Sequence, residues 1–133
     1  MRPTVITSST WIVVVAINDR SRCPVRDELD LVMLNDRVAH AQILALLGRI
    51  FLTGPPRDER RSRHLGDGVF EFKTPRGFRP LYFFGPRRTI VCSDLCSKPK
   101  PRELHRITRR AVDLREAYLA ASAGGDIVIE IGG

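Results

Sequence analysis

The sequence lacks several features that mark common protein classes. It has only three cysteines, an odd number, and the apolar segment at residues 11–17 runs into polar residues without a small-residue cleavage site. We therefore expect no disulfide framework and no secretory leader, and instead a cytoplasmic protein with reduced thiols. No apolar run approaches the roughly 20 residues of a membrane-spanning helix. We expect no membrane segment.

Acidic residues are scarce in one half of the chain. Residues 57–110 hold 15 basic and 6 acidic side chains, a net charge of +9, which exceeds the net charge of +7 of the whole chain. Clustered like charges repel one another unless an anionic partner relieves them, and nucleic acid is the leading candidate for that partner. A basic membrane-surface protein would need exposed apolar side chains opposite its cations. The basic helix of this chain carries an ordinary core stripe instead, so we do not expect membrane binding. An acidic protein partner is the other alternative.

The N-terminal half predicts one strand and two helices within a single domain spanning residues 1–133. Residues 11–17 are β-branched and uninterrupted, which is typical of a buried strand. Residues 25–34 and 35–52 carry apolar side chains at spacings of three and four, which predicts a helical hairpin. Asn35 or Asp36 would cap the second helix, and the Gly-Pro-Pro that follows would end it.

The middle of the chain predicts an antiparallel meander. Residues 57–63 form a charge run that we interpret as a solvated loop, and strands are expected over residues 69–74, 78–84 and 89–95. Pro80 cannot donate a ladder hydrogen bond, so its strand lies at a sheet edge or has a bulge near residue 80.

A basic helix is predicted to follow. Pro101 suits its first turn, and apolar residues repeat along one face up to Tyr118. The opposite face carries four arginines: Arg102, Arg106, Arg109 and Arg110. Residues 126–131, within a final segment from 121 to 133, are interpreted as a short extra strand or a tail.

Three motifs and this helix resemble the phage-derived branch of RelE/HigB-type toxins, and the resemblance covers most of the chain. The motifs are His64-Leu-Gly-Asp-Gly-Val-Phe-Glu-Phe72, Phe78-Arg-Pro-Leu-Tyr-Phe-Phe84 and Ser97-Lys-Pro-Lys-Pro101. Where the family has Trp and Arg in the first motif, this chain has Phe70 and Lys73, and its Lys-rich link is shorter.

The resemblance implies a RelE-like α+β fold: an N-terminal strand, a two-helix hairpin, an antiparallel meander and a C-terminal helix packed on the sheet. It also implies the toxin of a type II toxin-antitoxin system, an endoribonuclease that cleaves mRNA on the ribosome without metal or other cofactor. A small helix-turn-helix antitoxin would be its protein partner. The alternative is a catalytically inactive module of the same fold that binds RNA, the ribosome or a protein.

Catalytic candidates follow from the chemistry of 2′-hydroxyl attack on the adjacent phosphate. Arg79 would hold two phosphoryl oxygens through its planar fork. Strand alternation places Glu71 and Lys73 on the face opposite the neighbouring phenylalanines, and Glu71, Lys73, Lys98 or Lys100 would accept the 2′ proton. Arg76 would reach the leaving oxygen or a flanking phosphate. Glu71 has an equal alternative, which is pairing with Lys73 or a cross-strand arginine.

Further cations are candidates for contacts with RNA phosphates, although solvated surface is the plainer interpretation for most of them. They are Arg61, Arg63, Lys100, Arg102 and Arg106. Tyr82 would offer its ring to a base or its hydroxyl to a phosphate, with core packing as the alternative. Cys92 and Cys96 with the nearby histidines depart from the usual spacing of zinc ligands, so no metal site is predicted.

Overall fold

The computed structural model describes residues 11–17, 20–56 and 61–123. Over these residues the protein is α+β, with three helices and a five-stranded mixed sheet. The elements in chain order are β1 (Ile12–Val15), α1 (Pro24–Asn35), α2 (Arg37–Thr53), β2 (Ser62–Gly66), β3 (Val69–Phe72), β4 (Phe78–Gly85), β5 (Thr89–Ser97) and α3 (Pro101–Ala123). Residues 126–131, interpreted above as an extra strand or tail, lie outside the described residues.

The sheet has the strand order β1-β5-β4-β3-β2. Strands β2 to β5 pair antiparallel in sequence order, as the predicted meander requires, and β1 pairs parallel with β5. The first strand of the meander, β2, is not predicted because it begins inside the charge run at residues 57–63 that we interpret as a loop. It lies at the sheet edge, where charged side chains are tolerated and block pairing with other chains.

Pro80 lies in the interior of the sheet, so the edge alternative is wrong and the bulge alternative is correct. Leu81 faces Asp94 and Tyr82 faces Cys92, which leaves Ser93 of β5 as the extra residue of the bulge. The ladder between β3 and β4 runs only as far as Leu81. Pro80, which has no backbone N–H to donate, therefore lies just beyond the end of the ladder between β3 and β4.

The helical hairpin has the ends that its sequence predicts, and the structure selects Asp36 as the cap of α2. The Asp36 side chain accepts a hydrogen bond from the Ala39 amide at 3.1 Å, which satisfies one of the unpaired donors at the helix start. Helix α2 ends at Gly54, whose φ of +83° is unfavourable for other residues.

Helices cover both faces of the sheet. Helices α1 and α2 pack over one face, where the core contains Val25, Ile50, Phe72, Tyr82, Ile90 and Cys92. Helix α3 packs over the other face, as predicted, and the core there contains Val69, Leu81, Cys96, Ile107, Ala111 and Val112. Burial of each large apolar side chain contributes about 1.5–3 kcal/mol. Most of β3 and the middle of β4 are consequently removed from water on both faces.

Candidate nucleic-acid interface

Glu71 is a fully buried carboxylate in the middle of β3. It belongs to the face that α3 covers, since its neighbour Val69 packs there while Phe70 and Phe72 belong to the opposite core. Its side chain is 0% exposed. A buried carboxylate is costly unless it is paired and hydrogen-bonded.

Two arginines from the flanking strands hold the Glu71 carboxylate. Arg63, directly opposite Glu71 in β2, places Nη2 2.9 Å from Oε1. Arg79 of β4 donates from Nη1 to both carboxylate oxygens, at 3.2 and 3.3 Å. The arginine side chains remain 48% and 32% exposed, respectively. Arg63 and Arg79, named here the arginine pair, are thus fixed at their inner side and open to solvent at their outer side.

This arrangement decides between the two interpretations of Glu71. The carboxylate pairs with cross-strand arginines, as the structural alternative predicts, and it has no exposed surface from which to accept a substrate proton. The three side chains together keep one net positive charge. The arrangement is therefore suited to binding an anion and not to general base catalysis by Glu71.

Lys98 lies against the turn between β3 and β4. Its amide donates to the Gly77 carbonyl at 3.0 Å, and a Cβ atom placed on Gly77 would lie 2.6 Å from Lys98 Cε. Gly77 has a φ of +86°. The absence of a side chain at residue 77 thus permits both the turn and the close passage of the lysine stem.

Arg76, in the same turn, has a structural partner. Its Nε atom donates to Asp36 Oδ2 at 2.7 Å, which joins the turn to the start of α2. The hydrogen bond from Arg76, followed by that from the Ala39 amide, lowers the pKa of Asp36 below its ordinary value. This contact accounts for Arg76 without a catalytic role.

Lys73 and Arg61 lie apart from the arginine pair, in a groove beside α2. A cavity of about 450 Å³ is lined by Gln42, Ala45, Leu46, Arg49, Arg61, Lys73, Thr74 and Pro75. Neither Arg79 nor Lys98 belongs to this lining. The expectation of a charged face shared by Glu71 and Lys73 is wrong, because β3 ends at Phe72 and strand alternation stops there.

The first turns of α3 present exposed cations. Lys100, Arg102 and Arg106 are exposed, whereas Ile107 and Ala111 of the same helix are buried against the sheet. This division follows from the amphipathic spacing of the helix. The cations lie close in sequence to Lys98, so the link and the helix form one basic segment next to the end of β5.

Tyr82 is a core residue, and the prediction that it contacts RNA is wrong. Its ring is 1% exposed and stacks on Phe72 with centroids 3.9 Å apart. Its hydroxyl lies 2.6 Å from Ser62 Oγ, which satisfies its hydrogen-bonding need. Burial raises the pKa of Tyr82, and the hydrogen bond with Ser62 opposes that shift.

The three cysteines, Cys23, Cys92 and Cys96, are free thiols. Over residues 11–17, 20–56 and 61–123, no three His, Cys, Asp or Glu side chains gather as metal ligands do. Within the same residues, no helix has the length and apolarity needed to cross a membrane.

Comparisons of the chain with models of known protein families and with curated proteins find no match. Any functional conclusion therefore depends on the contacts of the site and on the motifs in the sequence.

Proposed function

We propose that this protein is a toxin-type endoribonuclease that cleaves mRNA on the ribosome without metal, with the arginine pair at the scissile phosphate. The observation that carries the proposal is the anchoring of Arg63 and Arg79 by the buried carboxylate of Glu71. The order of elements, from the first strand to the basic final helix, is compatible with the resemblance described above.

An anchored guanidinium group is suited to phosphoryl chemistry. Negative charge increases on the phosphoryl oxygens in the transition state, and a planar fork can donate to two of them at once. Because Glu71 already holds both arginines, little reorganisation is needed when charge develops. Arg79 contacts Glu71 through Nη1 alone, which leaves Nη2 and Nε as donors for substrate.

The reaction would begin with attack of a ribose 2′ oxygen on the adjacent phosphorus. The 5′ oxygen of the next nucleotide leaves, and a 2′,3′-cyclic phosphate forms. Glu71 is buried and Lys73 lies in the groove beside α2, so Lys98 and Lys100 are the remaining candidates for accepting the 2′ proton. Ladder pairing of Arg79 with Cys96 places Lys98 two residues further along the neighbouring strand and link.

The basic segment of Lys100, Arg102 and Arg106 would extend the contact to flanking phosphates. Such contacts position RNA without reading its sequence. In the complete system, the ribosome would present the message and a small helix-turn-helix antitoxin would silence the protein.

Expression in a bacterium, followed by mapping of RNA 5′ ends, tests the proposal. The wild-type chain should arrest growth and create new 5′ ends, whereas Arg79→Ala at equal soluble level should abolish most of them. Arg26→Ala removes the same charge from the exposed side of α1, which packs on the opposite face of the sheet, and should retain cleavage. Intact transcripts with soluble wild-type protein would contradict the proposal.

A second candidate is an RNA-binding module of the same fold that does not cut. The observation that favours it is that, among the described residues, neither Glu71 nor Lys73 is placed to act as a base at the arginine pair, because both Glu71 oxygens are engaged and Lys73 lies elsewhere. This module would bind single-stranded RNA with a salt slope of about −0.7 per neutralised phosphate. Salt-sensitive binding with unaltered transcripts would select it over the enzyme.

A further inference from the structure

A groove runs beside α2, away from the arginine pair. The cavity described above adjoins a second one of about 230 Å³, and the two share Leu46, Arg49 and Arg61. The second cavity continues along the end of α2 to Pro55 and Pro56. We name the two cavities together the α2 groove.

The lining of the α2 groove combines an apolar floor with cations. Its positive residues are Arg49, Arg61 and Lys73, and none of the described residues that line it is acidic. Its apolar residues are Ala45, Leu46, Ile50, Pro55, Pro56 and Pro75. A ligand that matches this lining has both negative charge and aliphatic surface.

Gln42 supplies a third element of recognition. Gln42 lines the groove, and its side-chain oxygen is buried without a hydrogen-bond partner among the residues described. A buried acceptor without a partner is unfavourable, so a donor from a bound ligand would stabilise it. The backbone N–H of an extended peptide is such a donor.

We infer that the α2 groove docks an acidic peptide segment with aliphatic side chains, supplied by a partner protein. Its carboxylates would face Arg49, Arg61 and Lys73, and its aliphatic side chains would contact the floor. RNA suits the groove less well, because none of the lining residues is aromatic and bases bind by stacking on rings. The lining contains no member of the arginine pair, so the inference does not depend on RNA cleavage.

Fluorescence anisotropy with a labelled synthetic peptide, Asp-Ile-Val-Ile-Glu-Ile, tests the inference. This sequence occurs at residues 126–131 of the chain and has the required chemistry. The full chain should bind it, and binding should weaken with salt because the ion pairs are exposed. Replacement of both carboxylates by amides in the peptide should weaken binding by about tenfold.

Matched protein variants locate the binding. The triple variant Arg49→Gln, Arg61→Gln, Lys73→Gln should lose about tenfold in affinity. The triple variant Arg102→Gln, Arg106→Gln, Arg109→Gln removes equal charge from α3 and should bind the peptide like the wild type. Equal losses in both variants would overturn the inference, because they would show general charge attraction.

Two further outcomes would also overturn it. One is displacement of the peptide by single-stranded RNA together with weaker RNA binding by the α2-groove variant, which would make the occupant RNA. The other is much tighter peptide binding by the full-length Asp126→Asn, Glu130→Gln variant, which would identify the chain's own C-terminal segment as the occupant.

Unchanged RNA cleavage by the α2-groove variant, with lost peptide binding, would support the inference.

Discussion

Glu71 organises the candidate site although it is the member least able to touch a substrate. Its burial obliges the protein to keep a guanidinium group beside it: Arg79 contacts both carboxylate oxygens and Arg63 contacts Oε1, so removal of both would leave the carboxylate without a charged partner. The arginines differ from Glu71 in remaining partly exposed. The loss of stability therefore depends on which of the three side chains, Glu71, Arg63 or Arg79, is removed.

A double-mutant cycle on the arginine pair should show strong coupling. Arg63→Ala or Arg79→Ala alone should lower the free energy of unfolding by about 1 kcal/mol, since one partner remains. The double variant should lose about 3–5 kcal/mol, because a buried carboxylate is then unpaired. Urea denaturation measures these values. For the control pair Arg102→Ala and Arg106→Ala, the two losses in unfolding free energy should add within about 0.5 kcal/mol. Additive losses for Arg63→Ala and Arg79→Ala would contradict the sharing of Glu71 by these two arginines.

The buried thiols should be chemically protected. Burial raises the pKa of both Cys92 and Cys96 from 9.0 to about 12, so the reactive thiolate is scarce at neutral pH. Cys23 is only partly buried. Ellman's reagent should react quickly with one thiol per folded chain and with all three after unfolding in denaturant. Rapid reaction of all three in the native protein would show that the sheet core opens readily.

Elements could be predicted from the sequence where one local signal dominates. The uninterrupted β-branched run gave β1, the apolar spacing gave α1 and α2, and Pro101 gave the start of α3. Strand β2 was missed because its stability comes from pairing with β3, which charge composition does not indicate. The burial of Glu71 was missed for a related reason. Val69 lies on the same face of β3 as Glu71 and is apolar. An apolar side chain on that face indicates that a helix covers it, and Glu71 is buried with it.

Two glycine substitutions should have opposite effects on stability. Gly77→Ala should lower the free energy of unfolding by about 1 kcal/mol or more, because its φ is +86° and its Cβ would meet Lys98. Gly48→Ala, inside α2 with nothing within 4 Å of the new Cβ, should raise it by about 0.5–1 kcal/mol. Thermal or urea unfolding measures both. A Gly77→Ala variant as stable as the wild type would show that the Lys98 side chain does not pack against Gly77.

At the scale of the whole molecule, the basic half of the chain is divided between two surfaces. The arginine pair and α3 lie on one face of the sheet, and the α2 groove with Arg61 and Lys73 lies beside the helix that covers the other face. Composition indicated the charge surplus but not this division, since the division depends on where β3 ends and which helix covers each face. A protein with two separate basic surfaces can bind two different anionic partners.

The stability of the whole molecule should fall in alkaline solution. The folded pKa values of Cys92 and Cys96 lie near 12, above their ordinary value of 9.0, so the unfolded chain releases these protons first as pH rises. Their contribution is full below about pH 9 and is lost progressively towards pH 12. The urea midpoint should therefore decline from pH 9 to pH 11, and less steeply in Cys92→Ala. A flat profile would contradict the burial of these thiols.

Purified ribosomes programmed with one message provide the most direct test of the proposed enzyme. The wild-type protein should cut the message in the presence of a metal chelator, and Arg79→Ala should lose most of this activity while Arg26→Ala in α1 keeps it. Cleavage that survives Arg79→Ala, or a message left intact by the wild-type protein, would contradict the assignment of the arginine pair to the scissile phosphate.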